Sequence, residues 1–227
     1  MSDHQNIVRI KALYDALEEL ADHVVFVGGA TVSLYSDRPA TDIRPTNDVD
    51  IVIELADYKG YAGLEEKLRK KGFVNDVQSG VICRYLVKGI VVDVMPTAEG
   101  ILGFANRWYK EGYAASITRD LGDGYVIRIF LPVYFMAAKL EAFKDRGGGD
   151  GRISQDFEDI VSLLNNRNTI WDEMEIAPEP VKSYLKEEFQ SLLTSYDHYE
   201  WISAHLDYAE QRRADRIIGG LISLVES

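Results

Sequence analysis

The chain has 227 residues, 46% hydrophobic and 27% charged, and its 25 Lys and Arg against 37 Asp and Glu give a formal net charge of -12. These are the proportions of an ordinary globular protein, enough for one large domain or a catalytic domain with a helical annex. The acidity argues against a general affinity for nucleic acid, which needs clustered Lys and Arg, while leaving room for a local basic patch. No apolar run approaches the ~20 residues that span a bilayer, and the single cysteine, Cys83, excludes an internal disulfide and suits a cytoplasmic protein.

The N-terminus, Met1-Ser2-Asp3-His4-Gln5-Asn6, has no basic region followed by a small-residue cleavage site and does not read as a signal peptide. Ile7, Ile10, Leu13, Leu17 and Leu20 recur at helical spacing and predict a helix over 4–21, with Ser2 and Gln5 as a capping box. A short buried strand over 24–27 ends in Gly28-Gly29, and a helix starts at Ala30 and runs to about Tyr35. The polar stretch 36–45 with its two prolines is a loop, and 49–54 is a strand. Asp57 caps a helix over 58–71 that shows Tyr61, Leu64 and Leu68 on one face and stops at Gly72. The stretches 81–87 and 90–95 flank Lys88-Gly89 as a β-hairpin.

Residues 101–120 are ambiguous, and 125–130 reads as a strand after the Gly122-Asp123-Gly124 turn. Pro132 suits the first turn of a helix running to about Arg146. The glycine run 147–151 lacks the Gly-Lys-Ser/Thr ending of a P-loop and reads as a hinge or mobile loop. Ser154 caps a helix over 155–164, and beyond Pro178 and Pro180 two more helices are expected, at about 181–195 and 199–225. The four histidines show no zinc spacing, and no internal repeat is present. The order predicts an α/β (α+β) fold: a mixed sheet with flanking helices over 1–165, then a C-terminal helical extension over 166–227.

Three acids stand out. Side chains on a strand alternate faces, so Asp48 and Asp50 point the same way. Two adjacent carboxylates repel and resist desolvation, and a divalent cation offsets both costs. Asp is depleted in strands, so this pair on a strand with Ile51, Val52 and Ile53 reads as functional rather than as a solvent-facing turn cap. Asp93 has only apolar near neighbours in Gly-Ile-Val-Val-Asp-Val-Met-Pro, which is costly for a charge without a partner. It is either a third metal ligand or the partner of Arg84 across the hairpin. Hard cations such as Mg²⁺ suit carboxylate oxygens and substrate phosphates.

Other residues carry two readings each. Gly28-Gly29 before a helix leaves backbone N–H groups for a phosphate, or is only a tight connection. Ser33 adds a hydroxyl to that phosphate, or is a neutral helix residue. Arg44 and Thr46 order the loop or touch a phosphate. Lys139, in the most apolar helical segment, snorkels to solvent or reaches phosphates. Asp156 and Asp159, one turn apart, position Lys139 or an acceptor hydroxyl, or are first-turn acids favoured by the helix dipole.

Gly28-Gly29, Asp48-Val49-Asp50 and Asp93 together resemble the nucleotidyltransferase superfamily typified by DNA polymerase β. Its signature is a strand, a Gly-Gly or Gly-Ser pair opening a helix, Asp-x-Asp on the next strand, and an acid on a later strand. Arg44-Pro45-Thr46-Asn47-Asp48-Val49-Asp50, Lys139 and Asp156-Phe157-Glu158-Asp159-Ile160 resemble, more narrowly, the AbiEii-type nucleotidyltransferases, which include toxins of type IV toxin–antitoxin systems. The likeness covers residues 20–165 and departs at Gly29, where the Gly-Ser form supplies a serine to the phosphate. It implies transfer of a nucleoside monophosphate from an NTP to an acceptor hydroxyl of RNA, protein or a small molecule. Asp48, Asp50 and Asp93 are then the catalytic metal ligands for Mg²⁺ or Mn²⁺. Gly28, Gly29, Ser33, Arg44, Thr46, Lys139, Asp156 and Asp159 are then the nucleotide side of the site. An antitoxin-like protein partner and a catalytically silent NTP-binding or regulatory module also follow from the resemblance. A basic strip, were Arg107, Lys110, Arg119 and Arg128 to cluster, would favour RNA, and an acidic surface around the cleft would favour a cationic small-molecule acceptor; the sequence leaves the clustering open.

Overall fold

The computed structural model describes residues 2–38, 44–55, 57–98, 100–103, 106–146 and 149–227, apart from the side chains of Ser2, Asp3 and Tyr58. The expected capping box at Ser2, part of the 36–45 loop and Gly147-Gly148 therefore lie outside the described residues. The chain is mixed α/β and divides into two compact units, Met1–Leu34 with Ala40–Leu131, and Tyr35–Pro39 with Pro132–Ser227. No helix among the described residues is long and apolar enough to cross a membrane.

The first unit holds a seven-stranded mixed sheet. Its strands are β1 (Val24–Val27), β2 (Asp48–Ile53), β3 (Val74–Asn75), β4 (Arg84–Val87), β5 (Ile90–Pro96), β6 (Ile117–Asp120) and β7 (Val126–Ile129), in the order β3-β4-β5-β2-β1-β7-β6. β2 runs parallel to β5 and β1 parallel to β7; the other neighbours are antiparallel. All four residues of β1 are buried, as a central strand covered on both faces requires. On β4 and β5 the alternation is visible: Tyr85, Val87, Ile90, Val92 and Val94 are buried, while Arg84, Leu86, Val91 and Met95 are less so.

The helix α1 (Ser2–Leu17) buries Ile10, Leu13 and Leu17. It ends earlier than its periodicity predicts, because Glu18 takes a positive φ of 51° and the chain continues as a 3-10 helix to His23. The segment after Gly28 is likewise a 3-10 helix, Gly29–Tyr35. The helix α2 (Tyr58–Lys70) is capped as expected, with Gly60 N–H donating to Asp57 Oδ1 at 2.7 Å, and Gly72 (φ 86°) ends it. It is tied to β4, where Tyr85 donates its hydroxyl to Glu65. Lys88 and Gly89, both at positive φ (49° and 78°), close the β4–β5 hairpin as a two-residue turn whose twist matches the strands. The ambiguous stretch contains α3 (Tyr109–Ala114) and β6, a half-exposed edge strand too short to show a clear period.

The second unit is helical, with α4 (Pro132–Asp145), α5 (Gln155–Asn166), α6 (Ile170–Glu175), α7 (Glu179–Thr194), α8 (His198–Ala204) and α9 (Arg213–Glu226). Ser154 caps α5 by accepting from Phe157 N–H. The expected long helix over 199–225 is two helices. Gln211 turns back to donate to the carbonyls of Ser203 and Leu206, both at 3.0 Å, satisfying the end of α8. The division between units falls at 131/132 rather than at the expected 165/166, which cuts through α5. The reason is that α4 and α5 are joined by buried ion pairs and pack with the later helices.

Candidate metal centre

Strand register assembles the acids of the first unit. Asp50 on β2 lies opposite Asp93 on β5, and Asp93 lies opposite Arg84 on β4. Asp48 is two residues from Asp50 and shares its face, while Val49 and Ile51 between and beyond them are fully buried on the other side. One carboxylate oxygen from each of Asp48, Asp50 and Asp93 falls within 4.8 Å of the others. Asp93 is buried; Asp48 and Asp50 are partly open to solvent.

Arg84 is the cation of this group. Its Nε donates to Asp93 Oδ1 at 2.8 Å and its Nη2 to Asp93 Oδ2 at 2.7 Å, a forked pair, and Nη2 also reaches Asp48 Oδ2 at 3.1 Å. The hydrogen bonding to Asp93 raises the Arg84 pKa further above its usual value. The salt-bridge reading of Asp93 is realised, and its carboxylate also lies beside those of Asp48 and Asp50. Cys83 beside it is pushed up to about 12 by burial and by the Asp93 charge, so it is a protonated thiol and not a nucleophile.

The glycine turn packs directly on this cluster. Gly28 takes φ 72°, and a Cβ placed on it would lie 1.8 Å from Asp50 Oδ2. Only glycine lets the end of β1 and the Asp50 carboxylate share that space. A Cβ on Gly29 would meet the Arg44 guanidinium and the Thr46 methyl, each at 2.7 Å. Thr31 holds the turn, its Oγ1 donating to Gly28 O at 2.9 Å. Ser33 Oγ is buried and finds no hydrogen-bond partner among the described residues.

Arg44 and Thr46 are anchored from α1. Asn6, fully buried, accepts from Thr46 N–H at 3.2 Å and donates to the Arg44 carbonyl, while Thr46 Oγ1 donates to Asp48 O at 3.0 Å. Thr46 therefore orders the approach to β2. Asn6 is not among the residues expected at the site. Its signal is present in the sequence all the same: it falls in register with Ile10, Leu13 and Leu17, a polar residue in the apolar stripe of α1.

Lys139, Asp156 and Asp159 belong to the second unit. Lys139 does not snorkel. Its Nζ is buried, 3.0 Å from Asp156 Oδ1 and 2.5 Å from Asp159 Oδ2, and Arg146 adds a contact of 3.2 Å to Asp156 Oδ2. Burial works to lower the Lys139 pKa, but the charges of Asp159 and Asp156 outweigh it and raise the value. Asp156 and Asp159 thus position Lys139, one of the roles expected for them.

Arg107, Lys110, Arg119 and Arg128, which would favour RNA if they clustered, do not all share one face. Arg119 pairs with Ile127 and Arg128 with Thr118, which puts the two arginines on opposite faces of the β6–β7 ribbon. Arg119 donates to Leu34 O, and Arg128 donates to Ser116 Oγ and lies over the Tyr113 ring. Arg107 and Lys110 line a cavity with Glu54, Thr97 and Glu111.

The donor set fits a hard divalent cation: three carboxylates converge, and the four side chains, three acids and one guanidinium, sum to a formal -2. Neither a family model nor a curated protein matches the chain.

Proposed function

We propose that the first unit is a nucleotidyltransferase-like domain that moves a nucleoside monophosphate from an NTP to an acceptor hydroxyl. The observation that carries this reading is the convergence of Asp48, Asp50 and Asp93 on one sheet face beside the Gly28 turn. Asp48, Asp50 and Asp93 would hold Mg²⁺ or Mn²⁺, which supplies neutralisation of phosphate charge and acidifies an acceptor hydroxyl. The Gly28-Gly29 turn brings main chain against the acids, with Asp50 occupying the space that a Cβ on Gly28 would take. The net charge of -12 and the separation of Arg119 from Arg128 support a small-molecule or protein acceptor over RNA.

A second reading, an NTP-binding module without turnover, is favoured by one observation: Arg84 already bridges Asp48 and Asp93. The test is incubation of the full chain with Mn²⁺ or Mg²⁺ and each α-³²P-labelled NTP, offered cellular RNA, protein extract and cationic small molecules, beside Asp50→Asn. Label on an acceptor, lost in a folded Asp50→Asn protein, is expected. Transfer that survives in Asp50→Asn refutes the assignment, and metal-dependent NTP binding without transfer identifies the silent module.

A further inference from the structure

We infer that Arg84 is a resident counter-cation which a divalent ion displaces, so that metal loading and release of the Arg84 guanidinium are one event. This rests on the metal-dependent reading of the same carboxylates. Three observations lead to it.

Arg84 engages both oxygens of Asp93 and one of Asp48, at 2.7–3.1 Å, and these are two of the three residues whose oxygens converge as a ligand set. A guanidinium held this close repels a dication entering the same set. The Asp48 contact is the longer of the two ion pairs and the more exposed, with side-chain exposures of 25% for Arg84 and 36% for Asp48. It is therefore the contact that yields first. Finally, the Arg84 side chain is a quarter exposed, and rotating it outward leaves the backbone pairing of β4 with β5 intact.

Arg84 holds Asp48 and Asp93 together against their own repulsion, a structural part that a bound cation would take over. After displacement its planar fork is left at the rim of the site, with the geometry that matches phosphate oxygens. Loading of the cation then creates an anion-binding group that the metal-free protein lacks. That order, metal before triphosphate, is a consequence of the guanidinium being shared.

The test is Mn²⁺ titration of the full chain, wild type against Arg84→Met, by calorimetry and by the free-Mn²⁺ electron spin resonance signal. Each hydrogen bond to a charged group is worth enough that Arg84→Met is expected to bind Mn²⁺ at least about tenfold more tightly. Its metal-free melting temperature is expected to fall, and saturating Mn²⁺ is expected to raise it by more than in wild type. Should Arg84→Met fail to fold, the ¹⁵N-arginine Nε–H signal of Arg84 in wild type, assigned by its loss in Arg84→Lys, reads the same event. It is expected to shift and to exchange faster as Mg²⁺ is added. Wild type that binds Mn²⁺ as tightly as Arg84→Met, or more tightly, overturns the inference while leaving the metal site standing. So does an Nε–H signal that stays put at saturation. Absence of Mn²⁺ binding in both proteins overturns the metal reading itself.

Discussion

Gly28→Ala tests whether the glycine turn exists to admit Asp50. The backbone there sits at φ 72°, a left-handed conformation that costs an L-residue about 1–2 kcal/mol. The added methyl would lie 1.8 Å from Asp50 Oδ2 and 2.7 Å from its Cγ, so the carboxylate must leave its place. Driving Asp50 off its rotamer adds about 1 kcal/mol. A loss of about 2–3 kcal/mol in urea denaturation of the full chain, followed by circular dichroism, is expected. The functional loss should exceed the structural one, because the displaced group is a proposed ligand: Mn²⁺ affinity should fall by at least tenfold, ~1.4 kcal/mol. Gly29→Ala is the control. Its φ is not positive, and its methyl would press on the guanidinium tip of Arg44 and the Thr46 methyl rather than on an acid. It should keep Mn²⁺ binding. Gly28→Ala binding Mn²⁺ as wild type does, or Gly29→Ala losing more affinity than Gly28→Ala, refutes the reasoning.

Two further outcomes follow from the packing. Lys139→Met strips Asp156 and Asp159 of their buried counter-charge and should cost about 3–5 kcal/mol near pH 8 by urea denaturation. Lys139 is held above the usual lysine value by the Asp159 and Asp156 charges, so its contribution in wild type is present at neutral pH and is lost only as pH rises through that raised value; a gap between variant and wild type that widens above about pH 10.5 contradicts this. Gly63→Ala, inside α2 with nothing within 4 Å of the added methyl, should stabilise the protein by about 0.5–1 kcal/mol, and a lower denaturation midpoint contradicts the helix assignment.

What can be read from residues alone depends on range. β1, β2, the β4–β5 hairpin, β7, α2, α4 and α5 carry local signals: apolar runs, Lys88-Gly89, an Asp or Ser cap, Pro132 at a helix start. β3 and β6 do not, being an edge strand of two residues and another of four with half-exposed side chains, too little for a period to emerge. The 3-10 turns after Leu17 and Gly28 look like α-helix in sequence because apolar spacing cannot distinguish i+3 from i+4 over six or seven residues. Within the site, Asp48 and Asp50 are legible as a pair because β-alternation is local. Their meeting with Asp93 depends on the parallel β2–β5 register, which no local pattern encodes. Arg84 is visible as a partner for Asp93 through the hairpin, yet its reach to Asp48, two strands away, is not. Asn6 escapes because one polar residue in an apolar stripe is easily taken for a helix edge. The early unit boundary escapes because the burial of Lys139 against α5 is a tertiary fact.

The acid cluster makes little sense as a stability device. Arg84 and Asp93 alone form a complete forked pair across neighbouring strands, and a partly buried pair of that kind already satisfies both side chains. Asp48 and Asp50 bring two more carboxylates to the same face, taking the group to a formal -2, on a strand whose remaining positions are Val and Ile. Residue types depleted in strands have been placed where their mutual repulsion is greatest. The neighbouring turn then adopts a left-handed glycine with no space for a methyl, which costs backbone entropy for the sake of one of those carboxylates. Repulsion and entropy loss both fall at one point of an otherwise well-buried sheet. Strain concentrated in this way is what the proposal of a cation held by these carboxylates accounts for.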